Sequence, residues 1–273
     1  MPLSRCIIAA STNPYVNLAY EHHLFQHTKL PCLLLYRNRK SVVVGRNQNP
    51  WLETDPKLLA KNKVDLVRRY SGGGTVYHDL GNVNYCYMTT RRDFTRLFAI
   101  QTICEMLEAK GKDVCVNDRH DLLLSGKKVS GSAFKIAKER AYAHGTMLLS
   151  ADLASVSPFL QSAKRIHLTH GTESVRSPVA NLEIDHNEFM LAASHAFGCM
   201  SPQTVIEKEA LAISDVREAA ESLQSWAWMY GQTPRFKVQL EDSYEASIVR
   251  GRVDAVYKDG EAVPHPLISE PFQ

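Results

Sequence analysis

Arg68-Arg69-Tyr70-Ser71-Gly72-Gly73-Gly74-Thr75-Val76-Tyr77-His78-Asp79-Leu80-Gly81-Asn82 is the stretch on which the reading of this chain turns. Its three successive glycines expose backbone N–H groups and let a bound group come close, and two arginines stand just before them. A nest of amides with a guanidinium beside it suits an anion, most often a phosphate. The alternating Thr75-Val76-Tyr77 marks a strand after the loop. A dinucleotide fingerprint needs a helix there, and a Walker loop needs a Gly-Lys-Ser/Thr that is missing, so neither applies. Taken alone, the glycines are equally compatible with a tight hairpin.

Upstream, Asn13-Pro14 reads as an N-cap with proline at the first helical position, opening a helix through Val16, Leu18, Ala19, His22 and Phe25. Cys6–Ala10, Cys32–Tyr36, Ser41–Val44 and Val64–Arg69 read as strands, and Asp55-Pro56 opens a short helix. Val83–Met88 alternates and is expected to close a hairpin with Thr75–His78. Phe94–Ala109 is amphipathic, with Leu97, Ile100, Ile103, Cys104 and Leu107 on one face. Further on, Leu122–Leu124 and Val129 pair around Ser125-Gly126-Lys127, and Ala141–Leu149 is a strand. Helices are expected over 152–161, 187–197 and 207–226, the last broken near Ile213-Ser214-Asp215. Phe236–Leu240, Ala246–Val249 and Arg252–Tyr257 return to short strands before a proline-rich tail expected to be disordered. Strands with helices packed on them make an α+β fold with mixed sheets.

The 273 residues suffice for one large domain with a small appendage, and 44% hydrophobic with 22% charged residues is an ordinary globular composition. A net charge of +3 without long basic runs gives no case for nucleic acid, and the apolar runs are far too short to span a membrane. The six scattered cysteines include no Cys-x-x-Cys, which argues for a reducing compartment and against a disulfide framework or a zinc site. No signal peptide or presequence is readable at Met1-Pro2-Leu3-Ser4.

The second informative segment is Lys127-Lys128-Val129-Ser130-Gly131-Ser132-Ala133. An ammonium beside small residues suits a phosphate, or a carbonyl that gains negative charge in a transition state. A surface hairpin with solvated lysines is the plainer alternative.

Together with Asn17-Leu18-Ala19-x-Glu21, Val43-Val44-Gly45-Arg46-Asn47-Gln48-Asn49-Pro50-Trp51, Arg119-His120-Asp121-Leu122, His144-Gly145-Thr146, Thr172-Glu173-Ser174-Val175 and Trp226-x-Trp228, these segments make a series. In that order the chain resembles the lipoate–protein ligase and lipoyltransferase family, nearest its eukaryotic mitochondrial lipoyltransferase branch. The resemblance implies a biotin/lipoate–protein ligase-like catalytic domain over 1–234, with a truncated remnant of the C-terminal accessory domain and a disordered tail over 235–273. It implies transfer of a lipoyl group from lipoyl-AMP to a lysine of apo lipoyl domains, in E2 subunits of 2-oxoacid dehydrogenases and glycine cleavage H protein. ATP and Mg²⁺ enter only if the chain also activates lipoate; that ATP-dependent ligase is one alternative. By the same resemblance Lys128 is catalytic, and Arg69, Gly74, Thr75, Val76, Tyr77, Arg119, Lys128 and Thr146 bind lipoyl-AMP, with no metal and no tightly bound cofactor. His78 and Asn82 are expected to orient the loop. A monomer in the mitochondrion is implied, with the cytoplasm as the alternative. A Cys115-dependent octanoyl or lipoyl amidotransferase is the remaining alternative, against the expectation that Cys115 is a buried structural residue.

Overall fold

A computed structural model describes residues 5–162, 166–169, 171–240 and 243–272. In chain order the elements are β1 (Arg5–Ala9), α1 (Pro14–His27), β2 (Cys32–Tyr36), β3 (Ser41–Val44), α2 (Pro50–Glu53), α3 (Pro56–Lys61), β4 (Asp65–Arg68), β5 (Val76–His78) and β6 (Asn82–Thr90). They continue with α4 (Phe98–Ala109), β7 (Val114–Val116), β8 (Leu122–Leu124), β9 (Lys127–Ser130), β10 (Ser132–Ile136), β11 (Arg140–Leu148), α5 (Leu153–Phe159) and β12 (Ile166–Thr169). The last are α6 (His186–Ala196), β13 (Gln203–Val205), α7 (Glu207–Ala212), α8 (Ser214–Gln224), α9 (Trp226–Met229), β14 (Phe236–Gln239), β15 (Tyr244–Val249), β16 (Arg252–Lys258) and β17 (Glu261–Val263). The fold is α+β with mixed sheets, as the pattern of strands and helices predicts.

The chain divides into two compact units, neither continuous in sequence. The first comprises 1–41, 78–155 and 176–221. Its six-stranded sheet has the order β10-β11-β6-β2-β1-β13. The β1–α1–β2 crossover makes those two strands parallel, whereas β2, β6, β11 and β10 pair antiparallel. Asn13 caps α1, its side chain accepting from the Tyr15 N–H at 3.1 Å, with Pro14 at the first helical position. Leu33, Leu35, Val83, Tyr85, Ile100, Ile103, Leu107 and Phe189 lie in one core beneath α4 and α6. β7, β8 and β9 form a separate three-stranded sheet. Ser125 (φ 49°) and Gly126 (φ 78°) both lie in the left-handed region, as a two-residue turn between β8 and β9 requires.

The second unit comprises 42–77, 156–175 and 222–273. It holds the β4-β3-β5 sheet and a five-stranded sheet, β12-β14-β15-β16-β17. One core gathers Val42, Val44, Leu59, Val64, Tyr77 and Met229, and another is built on Trp51, Phe236, Val238, Ile248 and Val256.

Two expectations change here. Val83–Met88 does not close a hairpin with Thr75–His78: β5 lies beside β3, while β6 runs between β11 and β2. The turn between them is fixed by other partners. Asp79 Oδ1 accepts from the Gly81 N–H at 2.8 Å and Asp79 Oδ2 from the Asp152 N–H at 2.8 Å. α4 begins at Phe98, and Leu97, expected on its apolar face, is exposed. The stretch after 234, where a remnant and a tail were expected, holds four strands from Phe236 to Val263, followed by turns. Its Phe272 packs edge-on to Trp51 at 5.1 Å and against Phe236 at 5.4 Å, because those aromatic faces need cover. Gln273, the last residue of that tail, lies outside the described residues, as does Met1–Ser4.

Candidate active site

In the second unit the glycine loop leaves β4 and enters β5. Both arginines before it point their donors inward. Arg68 is wholly buried, and its guanidinium donates to the carbonyls of Gly45 (3.2 Å), Arg46 (3.0 Å), Gln48 (2.8 Å) and Met229 (2.7 Å) and to Thr233 Oγ1 (3.0 Å). Burial, followed by the neighbouring Arg46 charge, lowers its pKa to about 10, so it stays charged at neutral pH. Arg69, also buried, donates to Ser71 Oγ (2.9 Å) and to the carbonyls of Val43 (3.2 Å), Gly72 (2.7 Å) and Gly74 (2.8 Å). Its guanidinium therefore holds the loop in shape from behind.

The glycine amides are placed differently. Gly73 has a φ of 88°, and a Cβ on the facing Gly45 would lie 2.0 Å from the Gly73 carbonyl oxygen. No acceptor among the described residues takes the N–H groups of Gly72, Gly73 or Gly74. The next residue, Thr75, is tied down: its N–H donates to Ser174 Oγ at 2.7 Å and its Oγ1 to Gln48 Oε1 at 2.8 Å. Gln48 is the hub, because Oε1 also accepts from the Gly45 N–H (2.8 Å) and Nε2 donates to Ser174 Oγ (3.0 Å). Val76 is half-buried. Tyr77 is buried, its ring stacked on Phe159 at 5.6 Å. Behind the loop, Trp228 Nε1 donates to the Arg68 carbonyl at 2.8 Å, and Arg46 lies over the Trp228 ring at 4.4 Å.

In the first unit Lys128 is fixed at both its backbone and its tip. Its N–H donates to the Pro178 carbonyl (2.8 Å), and its own carbonyl accepts from the Ala180 N–H (3.0 Å). Nζ lies 2.7 Å from Asp121 Oδ1, with the lysine side chain 24% exposed and the aspartate 7%. A register shift between Leu122 and Leu123 places a bulge at this point of the β8–β9 pair, a device that re-aims a side chain. Gly131 leaves the ammonium room, since a Cβ there would lie 2.8 Å from Nζ and Cε of Lys128. Thr146 adjoins it: Thr146 Oγ1 accepts from the Gly131 N–H at 3.2 Å, and the Thr146 N–H donates to the Gly131 carbonyl at 3.1 Å. Lys128, Gly131 and Thr146 thus come together.

Arg119 is exposed, in the turn before β8 that Asn117 organises by accepting from the N–H groups of Arg119 and Asp121, each at 2.9 Å. The strand that carries Thr146 is anchored from α1. Glu21, 1% exposed, lies 3.0 Å from His144 Nδ1 and accepts from Tyr36 Oη at 3.1 Å. Burial alone would raise the Glu21 carboxyl, but the His144 charge and the bonds from His144 and Tyr36 outweigh it and hold it below the ordinary range. Asn82 accepts from the Met147 N–H at 3.0 Å and His78 Nδ1 lies 3.0 Å from Asn38 Nδ2, so neither contact reaches the glycine loop.

Cys115 is exposed, where a buried residue was expected. The register sets Cys115 opposite Leu123 and Leu123 opposite Lys128. Cys115 and Lys128 therefore share a face with their backbones about 10 Å apart, two strand spacings.

The lipoyl protein ligase A/B catalytic-domain family matches residues 13–197. A Schizosaccharomyces pombe protein provisionally named lipoate-protein ligase A is 38% identical, over 98% of this chain and 84% of its own length. The chain belongs to this family. A Saccharomyces cerevisiae relative with the same provisional name is 37% identical over 86% of this chain, which spans 62% of that protein's length. Among solved structures, P. falciparum LipL1 in complex with lipoate has a TM-score of 0.72 at 21% identity, over 91% of this chain and 82% of that one. A bi-partite lipoate protein ligase of Thermoplasma acidophilum, studied with its E2 lipoyl domain, scores 0.69 at 24% identity, over 84% and 96%. A lipoate-protein ligase A bound with ATP scores 0.64 at 24%, over 82% and 94%. At these identities the structural likeness is one of fold. Gln48, Gly45, Ser174 and Asp121 sit in segments that carried the family resemblance, yet no role was read for them. Their work is done through contacts distant in sequence.

Proposed function

We propose that this chain is a lipoyltransferase that moves a lipoyl group from lipoyl-AMP to a lysine of an apo lipoyl domain, in dehydrogenase E2 subunits and glycine cleavage H protein. The supporting observation is the Lys128 ammonium, half-buried 2.7 Å from Asp121 and seated against Gly131, whose missing side chain gives it room. Lipoyl-AMP is an activated mixed anhydride. The acceptor amine attacks its carbonyl, negative charge grows on the carbonyl oxygen, and AMP leaves as a phosphate anion. A positioned cation stabilises both charges as they develop, and its effect is largest when it needs no reorganisation during the step. The Asp121 contact provides that positioning. We assign Thr146 and Arg119 to lipoyl-AMP beside Lys128, and Gly74, Thr75 and Val76 to its nucleotide, with Arg69 and the Tyr77 ring acting as supports. The mitochondrion belongs to the same proposal.

A second reading, in which the chain also activates lipoate with ATP, gains from one observation. The described residues after 234 contribute four strands to a sheet of the second unit. The two readings separate when purified protein is given an apo lipoyl domain with either synthetic lipoyl-AMP or lipoate plus ATP-Mg. Product from lipoyl-AMP alone supports a transferase that does not activate. Product from both supports the full ligase, and product from neither overturns both.

A further inference from the structure

On the first unit, α1 carries His23 and His27, four residues apart and so on one face of the helix. Their rings approach with centroids 4.5 Å apart. Asp215, in the first turn of α8, closes the group from a second helix. Its Oδ2 lies 2.9 Å from His27 Nε2 and 3.7 Å from His23 Nδ1. One donor atom from each residue falls within 4.8 Å of the other two. The lipoyl chemistry of the preceding section uses none of the three residues.

We propose that His23, His27 and Asp215 form a binding site for a divalent transition-metal ion of the zinc class. Two imidazoles and a carboxylate are the donor types such an ion takes, with bonds of about 2.0–2.2 Å. Tetrahedral coordination at those lengths sets donor atoms about 3.3 Å apart, between the two separations that Asp215 already makes. Little movement is needed to admit the ion, and the movement falls on accessible side chains: His27 is 55% exposed and Asp215 50%. That exposure also gives water the fourth position. The other group of metal-type donors among the described residues is Glu21, Cys86 and His144. It is buried throughout, its carboxylate already bonded to His144 and Tyr36. Burial, and after it the Glu21 charge, raises the Cys86 thiol well above its ordinary value, so it offers no thiolate.

An ion at His23, His27 and Asp215 joins α1 to α8 without touching the reacting groups. Binding then stabilises the folded chain by mass action and leaves the chemical step unchanged. The test uses tag-free, chelator-stripped full-length protein titrated with Zn²⁺ against a chromophoric competitor, alongside His27→Ala and Asp215→Asn. Even the second-layer partners of metal ligands are worth about tenfold in affinity, so each variant should bind at least about tenfold more weakly. The wild type should bind one ion, with a melting temperature that rises with free Zn²⁺. The rise should shrink in both variants, while lipoyl transfer and the metal-free circular dichroism stay as in the wild type. Absence of one-to-one binding, or affinity unchanged in the variants, overturns the proposal. So does a thiolate-to-metal charge-transfer band on loading with Co²⁺, which would move the ion to a cysteine.

Discussion

Two regions of this molecule hold cations, and they hold them in opposite ways. At Arg68 and Arg69 each guanidinium is surrounded by carbonyl and hydroxyl acceptors of its own unit, so the charge serves as scaffolding for the glycine loop. At Lys128 one carboxylate meets the ammonium, which packs against a glycine and keeps about a quarter of its side chain exposed. The difference follows from the side chains. A planar fork with five donors can organise several carbonyls at once, whereas an ammonium is a compact charge able to follow a substrate. The residue that looked like an anion clamp is thus a brace for the loop.

The sharpest way to break that contrast is Arg68→Lys. An ammonium cannot reproduce the fork, so carbonyls of Gly45, Arg46, Gln48 and Met229 lose partners in a buried setting. A destabilisation of about 3–5 kcal/mol is expected, read from the urea midpoint. A shift below about 1 kcal/mol would show that Arg68 is no brace.

At Lys128 the order of effects should reverse. Gly131→Ala sets a methyl 2.8 Å from Nζ and Cε, atoms at the movable end of a side chain, so the fold yields easily while the ammonium is displaced. Transfer from lipoyl-AMP should fall about 10- to 100-fold, the scale of a misplacement near 1 Å, with a melting temperature close to wild type. Equal losses of stability and rate would put Gly131 with the scaffold instead.

The Glu21–His144 pair supports the strand of Thr146, and its effect is set by pH. The Glu21 carboxyl is held below its ordinary range in the folded chain. Its contribution to stability is therefore complete above the unfolded carboxylate value, about 4.3, and is lost as pH falls through the lower folded value. Urea midpoints measured down the acid limb should drop less steeply in Glu21→Gln than in wild type. Matching slopes would remove the pair from the account.

The smallest effect belongs to Cys115→Ser. Its backbone lies about 10 Å from that of Lys128, the Lys128 ammonium is held by Asp121, and the thiol should be dispensable, with transfer rates within about twofold of wild type by the scale of a neutral surface change. Loss of activity would revive the cysteine-dependent amidotransferase.

Much of this was legible because local signals decide local structure. Asn13-Pro14 sets the start of α1, Ser125-Gly126 makes the β8–β9 turn, and Ile213 does separate α7 from α8. Alternation over Val83–Met88 also marked a strand correctly. Period two tells which face is buried but not which strand lies alongside, and so the hairpin with β5 was not realised. The same limit governs the site. Lys128, Thr75 and Thr146 stand out by residue type and segment. Tyr77 belongs to the core and Arg69 to the loop's support because of Phe159, Val43 and Ser71, and of these only Ser71 is near enough in sequence to be seen. Asp121, Gln48 and Ser174 gained their roles the same way, from partners 7 to 126 residues distant.

The central claim is that Lys128 acts on the reaction and not on the fold. Single-turnover transfer from lipoyl-AMP to an apo lipoyl domain, with Lys128→Ala beside wild type and melting curves on the same samples, tests it directly. Loss of an electrostatic stabiliser predicts a rate lower by about 10²–10³ with the melting temperature little changed. A variant that transfers within about threefold of wild type, or one whose loss of rate tracks its unfolding, contradicts the account.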